Sequence, residues 1–158
     1  MANESKELMT AAGRKRFEDE LASLKEERHK VSKEIGVARE QGDLSENADY
    51  DAAKDRQSEV EHRILEIQAL LESTMVPDEN SIDKSKVNVG CTVTVYDRNF
   101  DEEIVYQIVG KAEADSRKRL ISYKSPVGEK LFGCSVGDVV SVDLGDSILD
   151  LDVLKVEY

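Results

Sequence analysis

The run Ala38-Arg39-Glu40-Gln41-Gly42-Asp43-Leu44-Ser45-Glu46-Asn47-Ala48-Asp49-Tyr50 separates two long segments that share one apolar period. Upstream, Phe17, Leu21, Leu24, Arg28, Val31, Ile35 and Ala38 recur in alternating steps of four and three. Downstream, Tyr50, Ala53, Gln57, Val60, Ile64, Ile67 and Leu71 do the same. A single stripe per segment, with charges on the other faces, predicts two helices packed as a coiled coil. The interruption, Gln41 to Ser45, is short, so the helices are expected to lie antiparallel as a hairpin. Thr10 suits the N-cap of the first helix. A helix from there to Glu40 would reach about 45 Å at about 1.5 Å per residue. Such a rod buries little surface for its length, which directs attention to its end.

Residues 1–75 hold no Pro and only the glycines Gly13, Gly36 and Gly42, and are rich in Ala, Leu, Glu, Lys and Arg, all good helix formers. Residues 82–158 are rich in Val and Ile instead. The polar, breaker-containing residues 76–81 read as the linker between two domains. In the second domain Gly90–Tyr96 and Glu103–Val109 alternate polar and apolar, as strands do, and Arg119–Lys124 is a third candidate. Ser125-Pro126 fits an N-cap followed by Pro at the first helical position, opening a short helix that Gly133 can end. Val139–Leu144 and Ser147–Tyr158 complete the strands. The expected fold class is α+β: a helical hairpin, then a small, mostly antiparallel sheet with one short helix.

Of the 158 residues, 22 are Lys or Arg and 34 are Asp or Glu, a net charge of -12. Unspecific affinity for duplex DNA comes from neutralising phosphates, so this balance argues against a protein that wraps DNA. With no Trp and 5% aromatics, base-stacking platforms are not expected. No apolar run approaches a membrane span and the first residues lack the apolar core of a signal peptide, so a cytoplasmic protein without a membrane partner is expected. Cys91 and Cys134 have no metal-like spacing and read as reduced thiols. His29 and His62 are isolated and read as surface residues. Catalytic triads, phosphate-binding Gly loops and zinc spacings are absent from the sequence.

Acidic residues crowd the apex. Glu40, Asp43, Glu46 and Asp49 are spaced by three, and Asp51 and Asp55 follow. Like charges at helical spacing repel, so helix stability alone does not select them. Two readings stand side by side. Asp43-Leu44-Ser45-Glu46 fits a capping box for the second helix, with acids suited to its dipole. Alternatively the carboxylates serve a cation, Mg²⁺ being the natural one, because it takes hard oxygen ligands and leaves much of its shell to phosphates and waters. Tyr50 falls on the seam and reads as a packing residue.

Ala38 to Lys54, with Glu40-Gln41-Gly42-Asp43-Leu44-Ser45-Glu46-Asn47-Ala48 at its centre, resembles the tip signature of the bacterial Gre transcript-cleavage factors, which are transcription elongation factors. Leu44 after Asp43, and Ala52-Ala53-Lys54, make it similar to the GreA type. Ser125-Pro126-Val127-Gly128, Leu131-Phe132-Gly133 and Val136-Gly137-Asp138 resemble the family's second signature. Val87–Val93 and Leu154–Tyr158 add to the likeness, which spans nearly the whole chain. Gln41 and Asp51 depart from it, standing where histidine is common in GreA-type tips.

The resemblance implies an amino-terminal antiparallel coiled coil and a carboxy-terminal FKBP-like domain. It implies that the globular domain docks on RNA polymerase while the coiled coil enters the secondary channel. There it would stimulate the polymerase's own cleavage of backtracked RNA. By position in the motif, Asp43 and Glu46 would be the catalytic carboxylates, donated in trans and sharing Mg²⁺ with the polymerase, so the chain would not be an enzyme by itself. Arg39 and Lys54 would form the basic patch that meets the nascent RNA 3′ end, and Ser125 and Pro126 would lie at the docking edge. The protein is expected to be a monomer. The alternatives are a Gre-fold factor that plugs the channel without cleavage, a prolyl isomerase or chaperone, and a dimerising coiled coil. The shortage of aromatics argues against a proline pocket.

Overall fold

A computed structural model of the chain describes residues 6–41 and 47–158. Its elements fall into two compact units, with Arg14–Ser73 forming one of them. Among the described residues no helix is long and apolar enough to cross a membrane.

The first unit is built from helices α1 (Ala11–Glu40) and α2 (Ala48–Ser73). The stripe expected from the sequence is the buried one. Phe17, Val31, Ile35 and Ala38 on α1, and Ala53, Val60, Ile64 and Ile67 on α2, are all less than 9% exposed. Each fully buried Val or Ile contributes about 1.5–3 kcal/mol. Leu21, Leu24, Gln57 and Leu71 are half-buried at the same seam. Ion pairs flank it: Arg63 Nε lies 2.7 Å from Glu20, Arg56 Nε 2.8 Å from Glu27, and Arg28 3.7 Å from Glu61. Glu20 meets Arg63 whereas Glu27 meets Arg56, so numbers fall on one helix as they rise on the other and the hairpin is antiparallel. At the start of α1, Lys15 and Arg16 are exposed as expected, whereas Arg14 is half-buried and donates to the Leu71 carbonyl at 3.3 Å; Arg14 and Lys15 also pair along their own helix with Glu18 and Asp19.

The second unit is a five-stranded sheet. Its strands are β3 (Thr92–Asp97), β4 (Glu102–Val109), β5 (Leu120–Ser122), β6 (Val139–Asp143) and β7 (Ile148–Glu157), in the order β5-β4-β3-β7-β6. Every pair is antiparallel except β4–β5, so the sheet is mixed at one edge. Two single 3₁₀ turns, Lys111–Glu113 and Ser116–Lys118, carry the chain across that edge. Helix α3 (Pro126–Leu131) has the expected start: the Ser125 hydroxyl accepts from the Gly128 amide at 3.1 Å. Gly133, just beyond it, adopts a φ of 82°, which glycine alone enters without steric penalty. Val87, Val89, Cys91, Val93, Val95, Ile104, Ile108, Leu131, Leu151 and Val153 form the core, and burial pushes the Cys91 thiol above its ordinary value.

The chain before Arg14 belongs with Thr74–Tyr158, a grouping that the sequence division after residue 75 does not contain. Two features cause it. Strand β1 (Glu7–Leu8) pairs in parallel with β2 (Thr74–Met75). In addition, the buried Glu113 carboxylate accepts from the amides of Thr10 at 3.0 Å and Gly110 at 2.8 Å, and from the Thr10 hydroxyl. The Thr10 oxygen in turn accepts from the Gly13 amide at 2.9 Å, so Thr10 is the expected N-cap of α1. Gly13 is required here, because a Cβ would fall 1.8 Å from the Glu113 carboxylate.

Candidate functional site

Among the described residues, the side chain of Asn47 links the end of α1 to the start of α2. Asn47 precedes the first residue of α2, and its Oδ1 accepts from the Tyr50 amide at 3.1 Å, the N-cap bond of that helix. Its Nδ2 donates to the Ala38 carbonyl at 2.6 Å, near the end of α1. The same carbonyl accepts from the Gln41 amide at 3.2 Å. Asn47 thus satisfies a donor at the start of one helix and reinforces an acceptor at the end of the other. This corrects the capping reading of Asp43-Leu44-Ser45-Glu46: α2 starts at Ala48 and Asn47 is the residue that caps it. Both residues supply plausible cap chemistry, and only the position of the helix start distinguishes them.

Asp43 and Glu46 themselves lie outside the described residues. Among the described residues no group of three or more His, Cys, Asp or Glu is placed to hold a metal ion. Arg39 and Lys54 are described, and both are exposed. Lys54 Nζ sits 5.9 Å from the centroid of the Tyr50 ring. That ring is half-buried against Val31, Ile35 and Ala53, so Tyr50 is a packing residue as its seam position suggests, with one face left to a cation. Farther along the rod, Arg28, Arg56 and Arg63 are neutralised by glutamates of the facing helix. Among the described residues neither Arg39 nor Lys54 has a carboxylate partner. A groove of about 520 Å³ between the helix ends is lined by Lys33, Val37, Gln41, Asp49 and Arg56, among others, with Val37 exposed. Sequence reasoning missed Asn47; an Asn one residue before a helix is a visible signal, but the acidic residues around it drew the capping assignment away.

The likeness to known proteins covers both units. Residues 7–76 match the family model described as transcription elongation factor, N-terminal, and residues 82–158 match transcription elongation factor, GreA/GreB, C-term. The chain belongs to the GreA/GreB transcription elongation factor family. It is 45% identical over 155 residues to the transcription elongation factor GreA of Lachnoclostridium phytofermentans, covering 98% of this chain and 97% of that protein. It is 43% identical over 157 residues to the GreA of Clostridium botulinum, covering 99% and 98%. Among solved structures it is similar to GreA factor homolog 1 (Gfh1) of Thermus thermophilus. That match has a TM-score of 0.44 at 26% identity, over 97% of this chain and 99% of that one. It is also similar to a GreA/GreB factor of Nitrosomonas europaea, with a TM-score of 0.44 at 20% identity, over 98% and 100%.

Within the family's second signature, the Ser125 hydroxyl and the Pro126 ring are spent on starting α3. Ser125 is half-buried and its hydroxyl also donates to the Ser122 carbonyl at 2.6 Å, while Pro126 is exposed. Ser125 thus shapes the turn that starts α3, and Pro126 lies exposed at its first position.

Proposed function

We propose that this protein enters the secondary channel of bacterial RNA polymerase with its helical hairpin and stimulates cleavage of backtracked nascent RNA, rescuing stalled complexes. The observation that carries this reading is the tip. A segment bearing Asp43 and Glu46 is flanked by two exposed cations, Arg39 and Lys54, that have no acidic partner among the described residues. Capping of α2 falls to Asn47, so helix initiation does not account for Asp43 in the sequence. An anionic RNA 3′ segment is a suitable partner for the two cations. The near full-length likeness to proteins named GreA supports the same reading.

Asp43 and Glu46 are hard-oxygen donors and suit Mg²⁺, which takes one or two carboxylates and completes its shell with waters and phosphates. The ion would belong to the polymerase, where two-metal chemistry activates the attacking water and stabilises the leaving oxygen. The chain would contribute the two carboxylates in trans, one of them as general base for the water. A stalled, backtracked complex with labelled RNA tests this. Added protein should release short RNA fragments, and Asp43→Asn should abolish release while still competing with wild type for the polymerase. Binding without release by the wild type would instead favour the channel-plugging alternative.

A further inference from the structure

We infer that Tyr50 is a positioning residue for the RNA contact: its ring holds the Lys54 ammonium in place without neutralising it. The RNA partner rests on the function proposed above; the pairing of ring and ammonium does not.

On α2, Lys54 has two neighbours one turn back, Tyr50 four residues before it and Asp51 three residues before it. Its ammonium lies 5.9 Å from the centroid of the Tyr50 ring, and among the described residues it forms no ion pair with Asp51 or with any other acid. The two neighbours differ in what they leave for a ligand. A carboxylate would cancel the charge that it holds. An aromatic ring attracts a cation through its quadrupole and carries no net charge, so the full positive charge stays available to an anion. Arg28, Arg56 and Arg63 show the other arrangement, each held by a glutamate of the facing helix.

The ring is itself a fixed platform. It packs on Val31 and Ile35 of α1 and on Ala53 of its own helix, and the Tyr50 amide donates to the Asn47 side chain. Tyr50 is the one Phe, Tyr or Trp in residues 47–73, and the buried seam residues that follow it, Ala53, Val60, Ile64 and Ile67, are aliphatic. An aliphatic side chain therefore serves seam packing on this helix, and packing alone does not select an aromatic one. A lysine free in solvent loses rotamer freedom when it is fixed on a ligand, and one already resting on a ring loses less. The exposed Lys54 is thus held and still fully charged, which suits an RNA phosphate.

The test titrates the protein against two RNA polymerase complexes, one backtracked with an extruded RNA 3′ segment and one without it. The ratio of the two Kd values, as preference for the backtracked complex, measures the RNA contact and requires no cleavage. The variants are Tyr50→Leu, Tyr50→Phe, Lys54→Met and the double variant Tyr50→Leu/Lys54→Met. The strength of an exposed cation–π pair predicts that Tyr50→Leu lowers the preference about two- to fivefold. Tyr50→Phe keeps the ring and should restore it. In the Lys54→Met background Tyr50→Leu should lower it no further, whereas a loss through packing alone would persist there. In the free protein, the Lys54 methylene protons next to the ammonium should show a ring-current shift in wild type and Tyr50→Phe that Tyr50→Leu lacks. The inference is overturned if Tyr50→Leu keeps the wild-type preference, if Tyr50→Phe behaves like Tyr50→Leu, or if the double variant falls below Lys54→Met. A wild type with no preference for the backtracked complex overturns it as well. A wild type that prefers the backtracked complex but releases no RNA sinks the cleavage reading alone.

Discussion

The side chain of Asn47 donates to the carbonyl of Ala38, near the end of α1, at 2.6 Å, while its oxygen caps α2 at the Tyr50 amide. One residue therefore fixes where α1 stops relative to where α2 begins, on either side of the segment that carries Asp43 and Glu46.

Asn47→Asp keeps the N-cap acceptor and removes the donor; Asn47→Ala removes both. Loss of a helix N-cap costs about 1 kcal/mol, with about as much again for the second bond. Thermal unfolding should rank wild type above Asp above Ala. If the clasp also orients the acidic segment, fragment release at saturating protein should fall in the same order. Equal release by all three would limit Asn47 to a stabilising role.

Glu113 is a buried carboxylate that, among the described residues, accepts hydrogen bonds from Thr10 and Gly110 and has no ion-pair partner. Glu113→Ala leaves these donors unsatisfied and should destabilise the second unit by about 2–4 kcal/mol. Gly13→Ala should cost a comparable amount by steric conflict with the same carboxylate. Urea unfolding followed by circular dichroism measures both.

Gly128 faces a similar constraint. A Cβ there would stand 1.9 Å from the Ser122 carbonyl oxygen, a backbone atom that cannot swing aside. Gly128→Ala should displace α3 from β5 and lower the thermal midpoint, whereas Gly36→Ala, where nothing lies within 4 Å, should raise helix stability slightly.

Tyr158 donates to the Lys86 carbonyl at 2.6 Å, and burial, with Cys91 nearby, pushes its phenol up to about 12. A raised value means the folded state holds the proton better than the unfolded state does. The stabilisation is complete below about pH 10, the ordinary tyrosine value, and is lost as pH rises from there toward 12. Stability measured across that range should decline less steeply in Tyr158→Phe than in wild type.

Long periodic signals made the rod legible in sequence. Phe17 to Ala38 and Tyr50 to Leu71 repeat often enough that only one face can be apolar, and that face is buried. Thr10, Ser125, Pro126 and Gly133 were equally readable, because capping and left-handed backbone restrict residue type locally. The β1–β2 pairing was not, since two residues per strand carry no periodicity. Nor was the parallel edge at β5, which depends on where the 3₁₀ turns deliver the chain. At the tip, residue type identified candidate carboxylates and cations, but spacing did not separate a cap from a ligand. The start of α2 assigned the cap to Asn47, and among the described residues Arg39 and Lys54 stand without the acidic partners that occupy cations elsewhere on the rod.

The most direct measurement is RNA release from a backtracked complex by wild type, Asp43→Asn and Glu46→Gln at concentrations that saturate the polymerase. The account predicts fragment release by wild type and its near loss in either variant, with affinity for the polymerase unchanged. Full release by both variants would contradict it.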